Sequence, residues 1–121
     1  SCQVLTLNKR DYKTRILSQI VKLQVNYSLA KNVTCEAGMK TIYLRILDPT
    51  GELLQNDQSG TCLFEGSEIG YSSAQTFEYE REAFSGTLYF RFDTEVVQGY
   101  YNADFIVDGN LIGSYPFEIR K

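Results

Sequence analysis

The sequence predicts an all-β fold, an immunoglobulin-like antiparallel sandwich of seven to nine strands, and three observations carry that prediction. Apolar and polar residues alternate at period two along most of the chain. The alternating runs are separated by turn residues at the spacing of sandwich strands. No helix-period stretch exceeds about two turns. Nine Tyr and seven Phe with no Trp agree, since these rings suit a half-buried pleated surface.

Residues 2–7 read as a short strand and 8–19, polar and basic, as a connection. The run 20–29 alternates most clearly. Val21, Leu23, Val25, Tyr27 and Leu29 share one face, and Lys22, Gln24, Asn26 and Ser28 the other. Residues 30–38 form a loop with room for one helical turn. In 40–47, Ile42, Leu44 and Ile46 point inward and Tyr43 and Arg45 outward. Asp48-Pro49-Thr50-Gly51 has the residues of a type I turn, and 52–54 starts a short return strand. Residues 61–65 and 69–71 are short edge segments. Phe77 and Tyr79 form the apolar phase of 75–82, Leu88, Phe90 and Phe92 that of 87–92, and Tyr101, Ala103, Phe105 and Val107 that of 99–107. Asp108-Gly109 predicts a type I′ hairpin. In 111–120, Tyr115, Phe117 and Ile119 point inward, and Pro116, which cannot donate to a ladder, marks an edge. Strands with one apolar face each must bury it against a second sheet. The unequal strands and the long connections 8–19 and 30–39 favour two sheets over a closed barrel. The expected organisation is an N-terminal strand and basic connection over 1–19, then one sandwich domain over 20–121.

At 121 residues the chain can bury a core without metal or disulfide. The net charge of -3 argues against nucleic acid, which needs a basic surface. Lys9, Arg10, Lys13 and Arg15 form a short basic stretch, read as a solvated connection. There is no His, which removes the commonest general base, the commonest zinc ligand and the Ser-His and Cys-His systems. Cys2, Cys35 and Cys62 match no metal or redox spacing. Cys2 is expected to be free and exposed, and Cys35 and Cys62 unbridged. No apolar run is long enough to span a bilayer. The chain begins Ser1-Cys2, which suggests a fragment or a mature form.

Several candidate sites have a plainer explanation. Glu78, Glu80 and Glu82 sit about 7 Å apart along a strand face, compatible with a glycosidase pair but equally with an acidic edge facing water. Asp48, Thr50 and Glu52 alternate as calcium loops do, yet the turn already accounts for them. Ser72-Ser73 lacks a base and a nucleophile-elbow context. Asn26-Tyr27-Ser28 and Asn32-Val33-Thr34 match a glycosylation pattern. One constellation stands out. An immunoglobulin-like order sets 40–47 beside 99–107 and that beside 111–120, gathering Tyr43, Arg45, Tyr100, Asn102, Asp104, Glu118 and Arg120 on one outward face. Tyr and Arg are the residues of binding hot spots; the plainer reading is a solvated sheet with cross-strand ion pairs. Tyr43, Arg45, Tyr100, Asn102 and Asp104 are the expected binding residues. Truncating either tyrosine is expected to change stability by less than about 1 kcal/mol.

Four segments carry a resemblance: T-I-Y-L-R-I-L-D-P-T-G-E-L-L at 41–54, F-E-G-S-E-I-G-Y-S-S at 64–73, F-E-Y-E at 77–80 and G-Y-Y-N-A-D-F-I-V-D-G-N-L-I-G at 99–113. With V-K-L-Q-V-N-Y-S-L-A-K-N at 21–32, they resemble the C-terminal β-sandwich domain of uncharacterised Bacteroidetes envelope proteins, over roughly 14–121. In that family the domain follows a membrane anchor and a coiled coil. The resemblance therefore implies a periplasmic setting in the cell envelope, anchored through a preceding segment, and it supplies no catalytic residues.

The expected function is a non-catalytic interaction or structural module, the globular head of a longer envelope protein, meeting a protein partner or a second copy. No cofactor, metal or nucleic acid is expected, and no membrane contact by the domain itself. The alternative is a carbohydrate-binding module, with Tyr43 and Tyr100 stacking on sugar rings and Asn102 or Asp104 bonding hydroxyls. A carboxylate hydrolase is a third reading, disfavoured by the missing His and the lack of a motif.

Overall fold

The computed structural model describes residues 1–31 and 36–121. Its strands are β1 (Cys2–Leu7), β2 (Lys22–Leu29), β3 (Gly38–Leu47), β4 (Gly60–Phe64), β5 (Ser67–Tyr71), β6 (Ser73–Tyr79), β7 (Phe84–Arg91), β8 (Gly99–Val107) and β9 (Asn110–Ile119). The only helical element among the described residues is a single 3-10 turn, Leu17–Gln19. One sheet has the order β1-β2-β7, the other β6-β3-β8-β9, and β4-β5 is a separate hairpin. Every pairing is antiparallel. Neither sheet closes on itself, so the architecture is a sandwich and not a barrel.

The expected inward phases meet between the sheets. Leu23 and Val25 from β2, Ile42, Leu44 and Ile46 from β3 and Ala103 from β8 are fully buried. They belong to one cluster with Tyr27, Phe77, Tyr79, Leu88, Phe90, Tyr101 and Phe105. Rings bridge the layers: Phe77 of β6 stacks on Phe84 of β7 at 4.6 Å between centroids, and Tyr27 of β2 lies 5.5 Å from Phe105 of β8. Tyr27 Oη donates to Gln75 Oε1 at 2.6 Å, tying the two sheets at the core's edge, and burial pushes the phenol up to about 12. Gly86 leaves room for this bond, since a Cβ there would stand 2.5 Å from Tyr27 Oη.

The turns follow their residue chemistry. Gly51 N–H bonds Asp48 O at 2.9 Å, closing the Asp-Pro-Thr-Gly turn. Asp108 and Gly109 have φ of 54° and 77°, the two positive values a type I′ turn needs. Glu65 and Gly66, at φ 49° and 84°, make the β4-β5 turn in the same way, which the sequence reading did not anticipate. β9 is a sheet edge, where the missing donor of Pro116 leaves no interior ladder broken.

Three differences from the sequence reading have physical causes. The return strand at 52–54 is only a bridge from Leu47 to Leu53, because a serine hydroxyl, described below, occupies the next ladder position. β6 ends at Tyr79 and Arg81 turns with φ 64°, so Glu78, Glu80 and Glu82 do not share one strand face. A bulge between Phe105 and Ile106 of β8 leaves Ile112 of β9 without a partner, and Phe105, Ile106 and Val107 are all buried.

Residues 8–19 curl at the end of β1, held by the Leu7–Lys13 bridge and by Thr14 N–H bonded to Thr6 O at 3.0 Å. Cys2 is free but half-buried, not exposed. Its register partner is the inward-facing Tyr27, so it packs against the core, and burial raises its thiol despite the nearby N-terminal amine. Cys62 is free and buried. Burial raises its thiol too, and Arg45 partly offsets the shift. Cys35 and the Asn32-Val33-Thr34 pattern lie outside the described residues. Titration of the unfolded, unreduced protein is expected to find all three cysteines as free thiols; a single reactive thiol would contradict this.

Candidate functional site

The outward phase of β3, β8 and β9 collects the expected binding residues on one sheet face. The register sets Arg45 beside Asp104 and Tyr43 beside Ile106 across β3-β8. Across β8-β9 it sets Tyr100 beside Glu118 and Asp104 beside Ser114. The face divides into two halves.

The first half lies under the β4-β5 hairpin. Tyr43 packs its ring on Tyr71 of β5 at 4.9 Å between centroids. Arg45 Nε donates to Gly70 O at 2.8 Å. At the far end the two hairpin turns meet, with Glu65 N–H bonded to Gly109 O at 3.0 Å. Ile106 and Cys62 are buried yet absent from the inter-sheet cluster, as expected of residues enclosed between the sheet and the hairpin. Lys40 Nζ pairs with Asp108 Oδ2 at 3.0 Å beside this contact. Tyr43 and Arg45 therefore hold the chain's own hairpin.

The second half is open. Tyr100 is 71% exposed. Beside it Asn102 Nδ2 donates to Asp104 Oδ1 at 2.6 Å and to Ser114 Oγ at 3.0 Å. Ser114 Oγ donates to the same Asp104 oxygen at 2.6 Å. Arg120 Nε pairs with Glu118 Oε1 at 2.9 Å. This strip of Tyr100, Asn102, Asp104, Ser114, Glu118 and Arg120 is pre-arranged: each polar side chain is held by a neighbour, and the ring stands free. Ser114 was not singled out from the sequence; the Asp108-Gly109 turn alone would set Asp104 opposite Gly113, and the bulge at Ile112 shifts the register by one residue to bring Ser114 there.

Other sequence candidates have structural duties. Asp48 Oδ1 accepts from Thr50 N at 2.8 Å, Thr50 Oγ1 at 2.6 Å and Glu52 N at 3.0 Å. Burial alone would raise this carboxyl, but the Thr50 hydroxyl and the backbone donors outweigh it and hold the group below its ordinary value. A carboxyl depressed by folding contributes stability that is complete above the unfolded pKa and is lost as pH falls through the folded one. The unfolding midpoint is therefore expected to drop as pH falls below the ordinary aspartate value of about 4, less steeply in Asp48→Asn; an identical acid limb in the variant would contradict the assignment. Ser72 is fully buried. It takes Ile46 N–H at 2.9 Å on its hydroxyl oxygen and donates to Leu54 O at 2.6 Å. Asn26, in the other glycosylation pattern, donates its side-chain amide to Gln3 Oε1 at 3.4 Å. Among the described residues, no group of three His, Cys, Asp or Glu side chains is placed to hold a metal ion.

A family model described as "Domain of unknown function (DUF8428)" matches residues 1–120. No curated protein matches the chain. Among solved structures, a family 123 glycoside hydrolase from Clostridium perfringens matches at 10% identity and a TM-score of 0.35, over 98% of this chain and 26% of that one. The chain thus spans about a quarter of that enzyme's length, and a likeness this distant carries no functional argument.

Proposed function

We propose that this chain, which belongs to the family of domains of unknown function DUF8428, is a non-catalytic interaction module that presents the open β8-β9 strip to a protein partner. The observation that carries the reading is Tyr100, 71% exposed beside side chains already fixed by one another. A large ring on an ordered polar frame loses little conformational freedom on binding, which is how Tyr serves as an anchor. The absence of His from the sequence supports the non-catalytic part. The sequence resemblance supports a place in the cell envelope, as the globular head of a longer anchored protein. A carbohydrate-binding use of this same face has less support, because the Tyr43 ring is packed on Tyr71 and stacking would fall to Tyr100 alone.

The test compares wild type, Tyr100→Ala and Asp104→Ala as immobilised baits against envelope extract. The reading expects at least one protein to be retained by wild type and lost from Tyr100→Ala, with unfolding midpoints that agree within about 1 kcal/mol. Equal retention by all three baits would overturn it.

A further inference from the structure

The other sheet carries a second uncovered face, and we infer that it binds a neutral oligosaccharide. The outward phase of β1, β2 and β7 begins with a row of Leu7, Lys22 and Arg91, in which Leu7 is buried, and continues beyond it as a grid two residues deep and three strands wide. The register gives one row as Leu5, Gln24 and Tyr89 and the next as Gln3, Asn26 and Thr87. Strand geometry makes this patch about 10 Å by 7 Å, the footprint of two or three sugar rings. Tyr89 is 53% exposed, an apolar plate for the C–H face of a pyranose. An open depression of about 610 Å3 continues over Gln3, Asn26 and Thr87.

The chemistry of the face selects the ligand. Its two cations are already paired. Lys22 Nζ lies 2.7 Å from Asp11 Oδ1 and leans on the Tyr89 ring at 5.6 Å, and Arg91 Nη2 lies 3.4 Å from Asp57 Oδ1. The centre is left with carboxamides and a hydroxyl. Gln24 Nε2 and Thr87 Oγ1 both donate to Asn26 Oδ1, at 3.1 and 2.9 Å, and Asn26 Nδ2 reaches Gln3 Oε1 at 3.4 Å. This network orients the amides and leaves Gln24 Oε1 as an acceptor and Gln3 Nε2 as a donor. Donors and acceptors in alternation, beside one aromatic plate and without net charge, match a chain of hydroxyls. A nucleic acid or an acidic peptide would need unpaired cations that this face does not offer. The inference concerns the opposite sheet and stands apart from the reading of the β8-β9 strip.

The test records amide chemical shifts of the whole chain on titration with cellotetraose, xylotetraose, mannotetraose and N-acetylchitotetraose at millimolar concentration, with oligogalacturonate as a charged comparison. At least one neutral sugar is expected to move the signals of Gln24, Asn26 and Tyr89. Tyr89→Ala is then expected to weaken it roughly tenfold, the effect of losing one ring contact, whereas Tyr89→Phe keeps it. Tyr89 is exposed, so the variant should fold, and its unperturbed spectrum elsewhere checks this. No shift with any neutral sugar, binding of oligogalacturonate alone, or shifts confined to Tyr100 and its neighbours would each overturn the inference.

Discussion

Ser72→Ala is expected to destabilise the fold by about 3 kcal/mol, since buried donors or acceptors left unmet cost about 1–3 kcal/mol each. The residue stands where the chain leaves β5 and enters β6. Its own N–H bonds Leu44 O at 2.7 Å, its carbonyl accepts from Ser59 Oγ at 2.8 Å, and its hydroxyl joins Ile46 N–H to Leu54 O. Leu54 N–H in turn bonds Ile46 O at 2.8 Å. The hydroxyl thus completes a ladder that the backbone of 53–54 alone leaves open, and no water can replace it at a fully buried position without a cavity. Alanine would strand both the Ile46 donor and the Leu54 acceptor. Ser73→Ala, one residue on, is expected to cost less than about 1 kcal/mol. Denaturant unfolding of the two variants checks the pair; equal effects would contradict the role given to Ser72.

Tyr43→Ala is expected to cost about 2–3 kcal/mol, well above the surface range anticipated from the strand pattern. The ring supports Tyr71 and, through it, the hairpin that encloses Ile106 and Cys62. Its loss removes an aromatic pair worth about 0.5–1.5 kcal/mol and opens a gap beneath β4-β5. The Cys62 thiol should then react faster with a thiol reagent in the folded variant than in wild type. Tyr43→Phe keeps the ring and should keep both stability and protection. If Tyr43→Ala is as stable as wild type and Cys62 stays protected, the hairpin does not depend on this contact.

Much of the fold was legible in the sequence because strand alternation is a local signal. Leu23, Val25, Ile42, Leu44, Ile46, Phe90 and Phe105 were all placed inward by parity alone, and all are buried. Asp108-Gly109 set the turn that joins β8 to β9, but the meeting of Asp104 with residue 114, not 113, comes from the bulge at Ile112, which no local pattern announces. Parity divides a strand's residues between two faces, however, and says nothing of what later covers an outward one. Tyr43 and Arg45 were correctly set outward, but the hairpin that covers them is built from 60–71, joined to β3 by contacts such as Arg45 to Gly70 that no local pattern announces. The one available signal was Glu65-Gly66 between short alternating runs, weaker than Asp-Gly because Glu is less at ease at positive φ. Ser72 was hidden for a related reason: its partners, Ile46 and Leu54, are 26 and 18 residues away. The amide network on β2 was visible only as the polar phase of a strand, and its link to Gln3 and Thr87 required the register of three strands.

The claim that the open β8-β9 strip, and not the hairpin-covered half, meets a partner is tested most directly by affinity. The measurement is the dissociation constant of the purified retained component for wild type, Tyr100→Ala and Tyr43→Phe, each shown to be folded. Tyr100→Ala is expected to weaken binding at least roughly thirtyfold, the hot-spot threshold of about 2 kcal/mol, with Tyr43→Phe unchanged. An unchanged constant for Tyr100→Ala would contradict the account.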